Sequence, residues 1–204
     1  MSGFSRTPAH GYNPAVATTT PIHFSGNPEA DAFLGESPLA LLIGFVLDQQ
    51  VTVQKAFSSP LELSRRLGGL DAAAIAGMDP ERLGEVFREK PALHRFPANM
   101  ARRTQELCAA IVSEYDGDAA AVWTGARDGA DLEQRLLALP GIGEMKARSL
   151  VAVIAKRLGV TPAGWEQFAP QHECLADVDS PEALAEYQAA KRARKAALRA
   201  TQNA

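Results

Sequence analysis

The chain has 204 residues, 46% of them hydrophobic, enough to bury a substantial core as one domain or as two small lobes sharing an interface. Two cysteines, Cys108 and Cys174, are too few for a disulfide framework or an iron–sulfur cluster, which takes about four thiolates, and the longest apolar run, Leu39 to Leu47, falls well short of the roughly 20 residues of a membrane span. The formal charge of −3 does not advertise a polyanion binder, but it is unevenly spread: Lys191, Arg192, Arg194, Lys195 and Arg199 stand in a tail without acids, leaving 16 basic against 24 acidic residues, or −8, in residues 1–190.

In chain order, the first segment is polar, rich in Pro and Gly, and lacks an apolar stretch of the secretory type. It is expected to be a disordered arm over residues 1–25, ahead of a domain over 26–204 in a reduced, cytoplasmic chain. Helix starts then recur in one idiom, a capping side chain followed by proline: Asn27-Pro28, Ser37-Pro38, Ser59-Pro60, Asp79-Pro80 and Ser180-Pro181. The cap oxygen accepts from orphan backbone N–H groups, and proline at the first helical position gives up an N–H that had no partner. Apolar residues recur at three and four, as in Leu132, Leu136 and Leu139, or Leu150, Val151, Ile154 and Leu158, and no alternating hairpin pattern occurs. The chain reads as all-α, with helices over 28–34, 38–48, 52–57, 60–67, 71–76, 80–88, 98–115, 118–123, 130–138, 144–158 and 181–199. Residues 160–177 read as a long ordered loop or an insertion.

Between the helices at 130–138 and 144–158 stands Leu139-Pro140-Gly141-Ile142-Gly143. Two glycines permit left-handed angles and leave the amides bare at a helix N-terminus, where the dipole favours an anion such as a DNA phosphate. Ile142 would point into the hairpin core, and Lys146 could reach an adjacent phosphate. An ordinary helix–helix turn uses the same residues.

This stretch, "LPGIGEMKARSLVAVIAKRLG", resembles the hairpin of the helix-hairpin-helix, Gly-Pro-Asp (HhH-GPD) superfamily of base-excision DNA glycosylases, and "ALLIGFVLDQQVTVQKA" resembles the superfamily's early helix with its paired glutamines. More closely, the whole chain resembles an actinobacterial branch of that superfamily. The resemblance implies a two-lobed helical glycosylase fold with its site in the cleft, acting as a nucleoid-associated monomer on double-stranded DNA. It implies Gly141, Ile142, Gly143 and Lys146 at the DNA backbone. Gln49 and Gln50 would probe the duplex or border the base pocket, and a nucleotide would be flipped into the cleft. It also implies a catalytic aspartate after the hairpin, for which Asp179 in "VDS" and Asp177 are the candidates; Asp179 also has the position of a helix-capping residue. A monovalent cation on hairpin carbonyls is the one cofactor implied, with no catalytic metal.

Two features depart from the family pattern. The lysine that acts as Schiff-base nucleophile in bifunctional members is replaced by Met145, and Lys146, one residue on, is rotated by about 100° around the helix. The aspartates also stand further from the hairpin than the pattern has them, so the 160–176 segment could cover the cleft. The expectation is a monofunctional glycosylase. The alternatives are a DNA-binding relative without the chemistry, and a helical interaction protein. His94 is expected in an exposed loop, and Phe45, Tyr115, Trp123 and Trp165 as core or loop anchors.

Overall fold

The computed structural model describes residues 21–202, the side chains of 195 and 198–202 excepted. Ten α-helices and two 3-10 turns follow one another, with no strand among the described residues: α1 (Pro28–Glu36), α2 (Pro38–Leu47), α3 (Val53–Leu67), α4 (Ala72–Ala76), α5 (Pro80–Arg88), α6 (Pro97–Tyr115), α7 (Ala121–Thr124), α8 (Gly129–Ala138), α9 (Glu144–Leu158) and α10 (Pro181–Gln202). The all-α expectation holds. Four of the five cap-plus-proline starts are real: Asn27, Ser37, Asp79 and Ser180 accept from amides of α1, α2, α5 and α10.

The fifth start is a correction. Pro60 lies inside α3, which runs unbroken where two helices were expected. Val53, Ala56, Phe57, Pro60 and Leu63 form one buried stripe at helical spacing, and that burial outweighs the roughly 3 kcal/mol an interior proline costs. Ser59 is not a cap. Its hydroxyl is 2.7 Å from the Lys55 carbonyl and 2.8 Å from that of Leu93, joining α3 to the loop before α6.

The domain also begins earlier than expected. Of the arm placed at 1–25, residues 1–20 lie outside the described residues, but Ile22 and Phe24 are buried and Phe24 meets Phe57 edge-on at 5.2 Å. Asp31 fixes this segment by accepting from the amides of Phe24 and Ser25.

The centre of the molecule is α2, buried at every residue from Leu39 to Leu47 and packed against α1, α3 and α6. α4 and α5 cover α6, and the hairpin pair α8–α9 completes a single contiguous core. Phe45 and Trp123 belong to that core, as expected, while Tyr115 and Trp165 pack at its edge. Residues 160–177 contain 3-10 turns at Trp165–Gln167 and Leu175–Asp177. This segment lies on the hairpin helices away from their turn: the Gly129 amide donates to the Ala163 carbonyl, and a Cβ at Gly129 would stand 2.7 Å from the Trp165 backbone. The Arg157 Nε–H donates to the Ala176 carbonyl at the C-terminal end of α9. The segment does not cover the hairpin turn.

Candidate nucleic-acid interface

α8 ends at Leu139, and the chain reverses through Gly141, whose φ of 83° is left-handed. Gly143 is different: with φ −95° and ψ 177° it is the extended N-cap of α9, so only one of the two glycines uses the left-handed region. Ile142 is buried and its amide donates to the Leu139 carbonyl, fixing the turn. No side chain caps α9. Among the described residues the amides of Gly143, Glu144 and Met145 have no acceptor, and a Cβ on Gly143 would meet only open space. Bare amides at a helix N-terminus with unobstructed access can accept an anion.

The hairpin turn rests on the C-terminal end of α2. A Cβ on Gly141 would stand 3.3 Å from Val46, and the Lys146 ammonium donates to both the Val46 and the Gly141 carbonyls at 3.3 Å. Lys146 therefore does not project outward toward a phosphate as expected; it ties the hairpin to α2. Burial pushes its pKa down to about 8, with Asp48 opposing and Arg103 and Lys191 adding to the depression. Met145, at the position of the family's nucleophilic lysine, is 83% exposed.

From Val46 the chain passes through Asp48 into the paired glutamines, which have separate roles. Gln49 is locked: its Nε2 donates to the Val46 carbonyl (2.7 Å) and its Oε1 accepts from Arg103 Nη1 (2.6 Å). Gln50 is exposed at the tip, at φ 55°, a left-handed conformation that costs a residue with a side chain about 1–2 kcal/mol. His94, expected in an exposed loop, is buried beneath this turn. Its Nδ1 accepts from the Phe96 amide (3.0 Å), which leaves the proton on Nε2 to donate to the Gln49 carbonyl (2.9 Å). Burial holds its pKa below the usual imidazole range, so the ring is neutral. His94 and Arg103 were not legible as site residues: His94 reads as an exposed loop residue, and nothing in the sequence around Arg103 sets it apart.

The two aspartates lie elsewhere. Asp177 Oδ1 accepts from Lys156 Nζ (2.5 Å) and its Oδ2 from the Cys174 amide (2.9 Å). Burial works to raise the Asp177 carboxyl, but the Lys156 ammonium and the amide outweigh it and hold the group below its ordinary value. Lys156 is ten residues, about 15 Å, along α9 from Lys146. Asp179 is exposed and without a hydrogen-bond partner among the described residues, the α10 cap being Ser180. α10 returns from there to the paired-glutamine turn, where Lys191 pairs with Asp48 at 3.2 Å. A groove of about 740 Å³ lined by Tyr115, Arg135 and Pro140 contains none of the candidate DNA-site residues.

No curated protein matches the chain. A family model described as the HhH-GPD superfamily base excision DNA repair protein matches residues 43–164, from the middle of α2 through the hairpin, and stops short of Asp177 and Asp179. With more than half its length matched, including both the paired-glutamine turn and the hairpin, the chain belongs to the HhH-GPD superfamily of base excision DNA repair proteins.

Proposed function

We propose that this DNA-repair protein is a monofunctional glycosylase, working as a monomer on double-stranded DNA and hydrolysing the N-glycosidic bond of a damaged or mispaired base. The observation that carries the reading is the junction of the hairpin with the end of α2, where Lys146 joins bare amides that suit a phosphate to a turn that exposes Gln50. A strand held at Gly143 is thereby aligned with a side chain able to enter the stack when the target nucleotide leaves it. The strain at Gln50 fits such a task, since the turn is braced by Arg103 and His94 through Gln49.

As the base departs, positive charge grows on the sugar; water adds at the sugar's anomeric carbon, and the bonding electrons and a proton go to the base. An ionised carboxylate stabilises that charge and accepts the attacking water's proton, which it then releases to the departing base, restoring the carboxylate. Between the two aspartates, Asp177 is committed to Lys156 and Cys174, so the role is assigned to Asp179. The thioether of Met145 cannot form a Schiff base and the Lys146 amine is directed at two carbonyls, which supports hydrolysis without strand nicking. The same ammonium on the Gly141 carbonyl supports a hairpin that carries its own positive charge there, and no step relies on a bound monovalent ion.

The distance of Asp179 along α10 from the probing turn favours a second reading, a DNA-binding relative without the chemistry. Duplexes carrying uracil, 3-methyladenine, hypoxanthine, 8-oxoguanine or mismatched adenine separate the two. Base release leaving alkali-labile sites, lost in Asp179→Asn and retained in Asp177→Asn, establishes the glycosylase. Duplex binding without release from any lesion establishes the second reading, and a borohydride-trapped adduct through Lys146 overturns the monofunctional one.

A further inference from the structure

The charge asymmetry of the chain acquires a location in the fold. α10 brings its basic end back to the probing turn: Lys191 pairs with Asp48, two residues from Gln50, and its ammonium lies 5.8 Å from the centre of the Tyr187 ring. Tyr187, Lys191 and Arg194 stand at i, i+4 and i+7, one stripe of the helix, so Arg194 emerges about 4.5 Å beyond the Asp48 contact on the same side. Arg192 leaves the helix about 100° around from Lys191. Both arginines are exposed.

Their lack of partners is unusual in this molecule. Every described arginine from Arg65 to Arg157 has a carboxylate, a carbonyl, an amide oxygen or an aromatic ring: Arg66 pairs with Glu62, Arg103 with Gln49, Arg148 with Glu133, and Arg95 lies over Phe96. Among the described residues Arg192 and Arg194 have none of these. A body at −8 repels a polyanion as a whole. Two guanidinium groups without partners among the described residues, beside the proposed DNA face, are placed to offset that repulsion locally.

We infer that Arg192 and Arg194 of α10 form a second DNA-backbone site, gripping phosphates of the strand that the hairpin and probing turn engage. The inference rests on that reading of the hairpin. Phosphate contact releases condensed counterions, so each arginine adds about 0.9 to the slope of log K against log salt. The test is fluorescence anisotropy with a short labelled duplex holding a central abasic-site analogue, over roughly 50 to 200 mM salt, comparing the full chain with Arg192→Gln/Arg194→Gln. Glutamine preserves helix propensity, and circular dichroism verifies the fold. The expected result is a slope smaller by about 1.8; an unchanged slope overturns the site. Gly143→Asp in parallel separates the failures. If it weakens binding while the arginine variant keeps the parent's slope, α10 alone is refuted; if neither variant alters binding, the hairpin reading falls as well.

Discussion

Replacing Gly143 by aspartate should make the protein more stable and bind DNA less well. Gly143 occupies an N-cap with extended angles that any residue adopts, and open space awaits a side chain. An aspartate there accepts from the idle amides of the first turn and puts negative charge at the positive end of α9. The cap is worth a few tenths of a kcal/mol over glycine, and the dipole about 0.3–1 kcal/mol. A gain of about 1 kcal/mol raises the melting temperature by roughly 2–4 °C in a chain this size. The same carboxylate consumes the donors that a phosphate needs and repels the phosphate itself. At about 5 Å in water that repulsion is about 0.8 kcal/mol, nearly fourfold. Thermal melts and anisotropy titrations on the same preparation read both effects. A more stable variant that binds duplex DNA as tightly as the parent would refute phosphate capture by these amides, since misfolding could not be blamed.

Gly141→Ala should do the reverse to the fold, because φ 83° costs alanine about 1–2 kcal/mol and the new methyl crowds Val46 at 3.3 Å; a melting temperature within a degree of the parent's contradicts the turn geometry. Gln50→Gly relieves a positive φ and should stabilise the protein by up to about 1 kcal/mol while reducing base release and affinity for an abasic duplex; equal activity removes Gln50 from the duplex. Lys146 gives two pH trends of opposite sign. Its folded pKa is about 8 against 10.5, so between those values the unfolded chain holds the proton more firmly and stability rises with pH, while DNA affinity falls through about 8 as the charge beneath the hairpin is lost; a pH-independent affinity in this range, matching that of Lys146→Gln, dismisses the charge from binding. Glu144, exposed on the first turn of α9, opposes phosphate, and Glu144→Gln should tighten binding about threefold for a charge some 6 Å away, readable by the same titration.

Local signals carried most of the fold. Capping residues, proline at the first helical position and three-four periodicity locate elements because they act within one helical turn, and they failed at Ser59-Pro60, where a buried stripe overrides the local cost. The hairpin was legible for the same reason: Pro140 and the left-handed Gly141 are conformational requirements written into adjacent residues, whereas Gly143 sits at angles any residue adopts. The brace beneath Gln50 was not. His94 and Arg103 reach Gln49 across 45 and 54 residues, and nothing in "PALHRFP" or in the face of α6 distinguishes a buried neutral imidazole or a guanidinium holding an amide from ordinary polar residues. Lys146 was misread in direction rather than in place, because the rotation of one side chain toward α2 depends on how closely Gly141 lets the hairpin approach Val46.

That close approach links the hairpin to the strain at Gln50. A turn holding a left-handed glutamine at its tip relaxes unless its neighbours over-determine it. Gln49 supplies three such restraints, through its carbonyl to His94, its amide nitrogen to Val46 and its amide oxygen to Arg103. The Val46 carbonyl is shared with Lys146, so the hairpin with its bare amides and the turn that exposes Gln50 are anchored on one atom. On the proposed reading, a backbone seated on α9 would meet a Gln50 whose position is already set, the ordering cost having been met during folding. Loosening the brace at Arg103 should consequently weaken discrimination between an abasic and an intact duplex more than it weakens binding to either, a separation that loss of a simple phosphate contact could not produce.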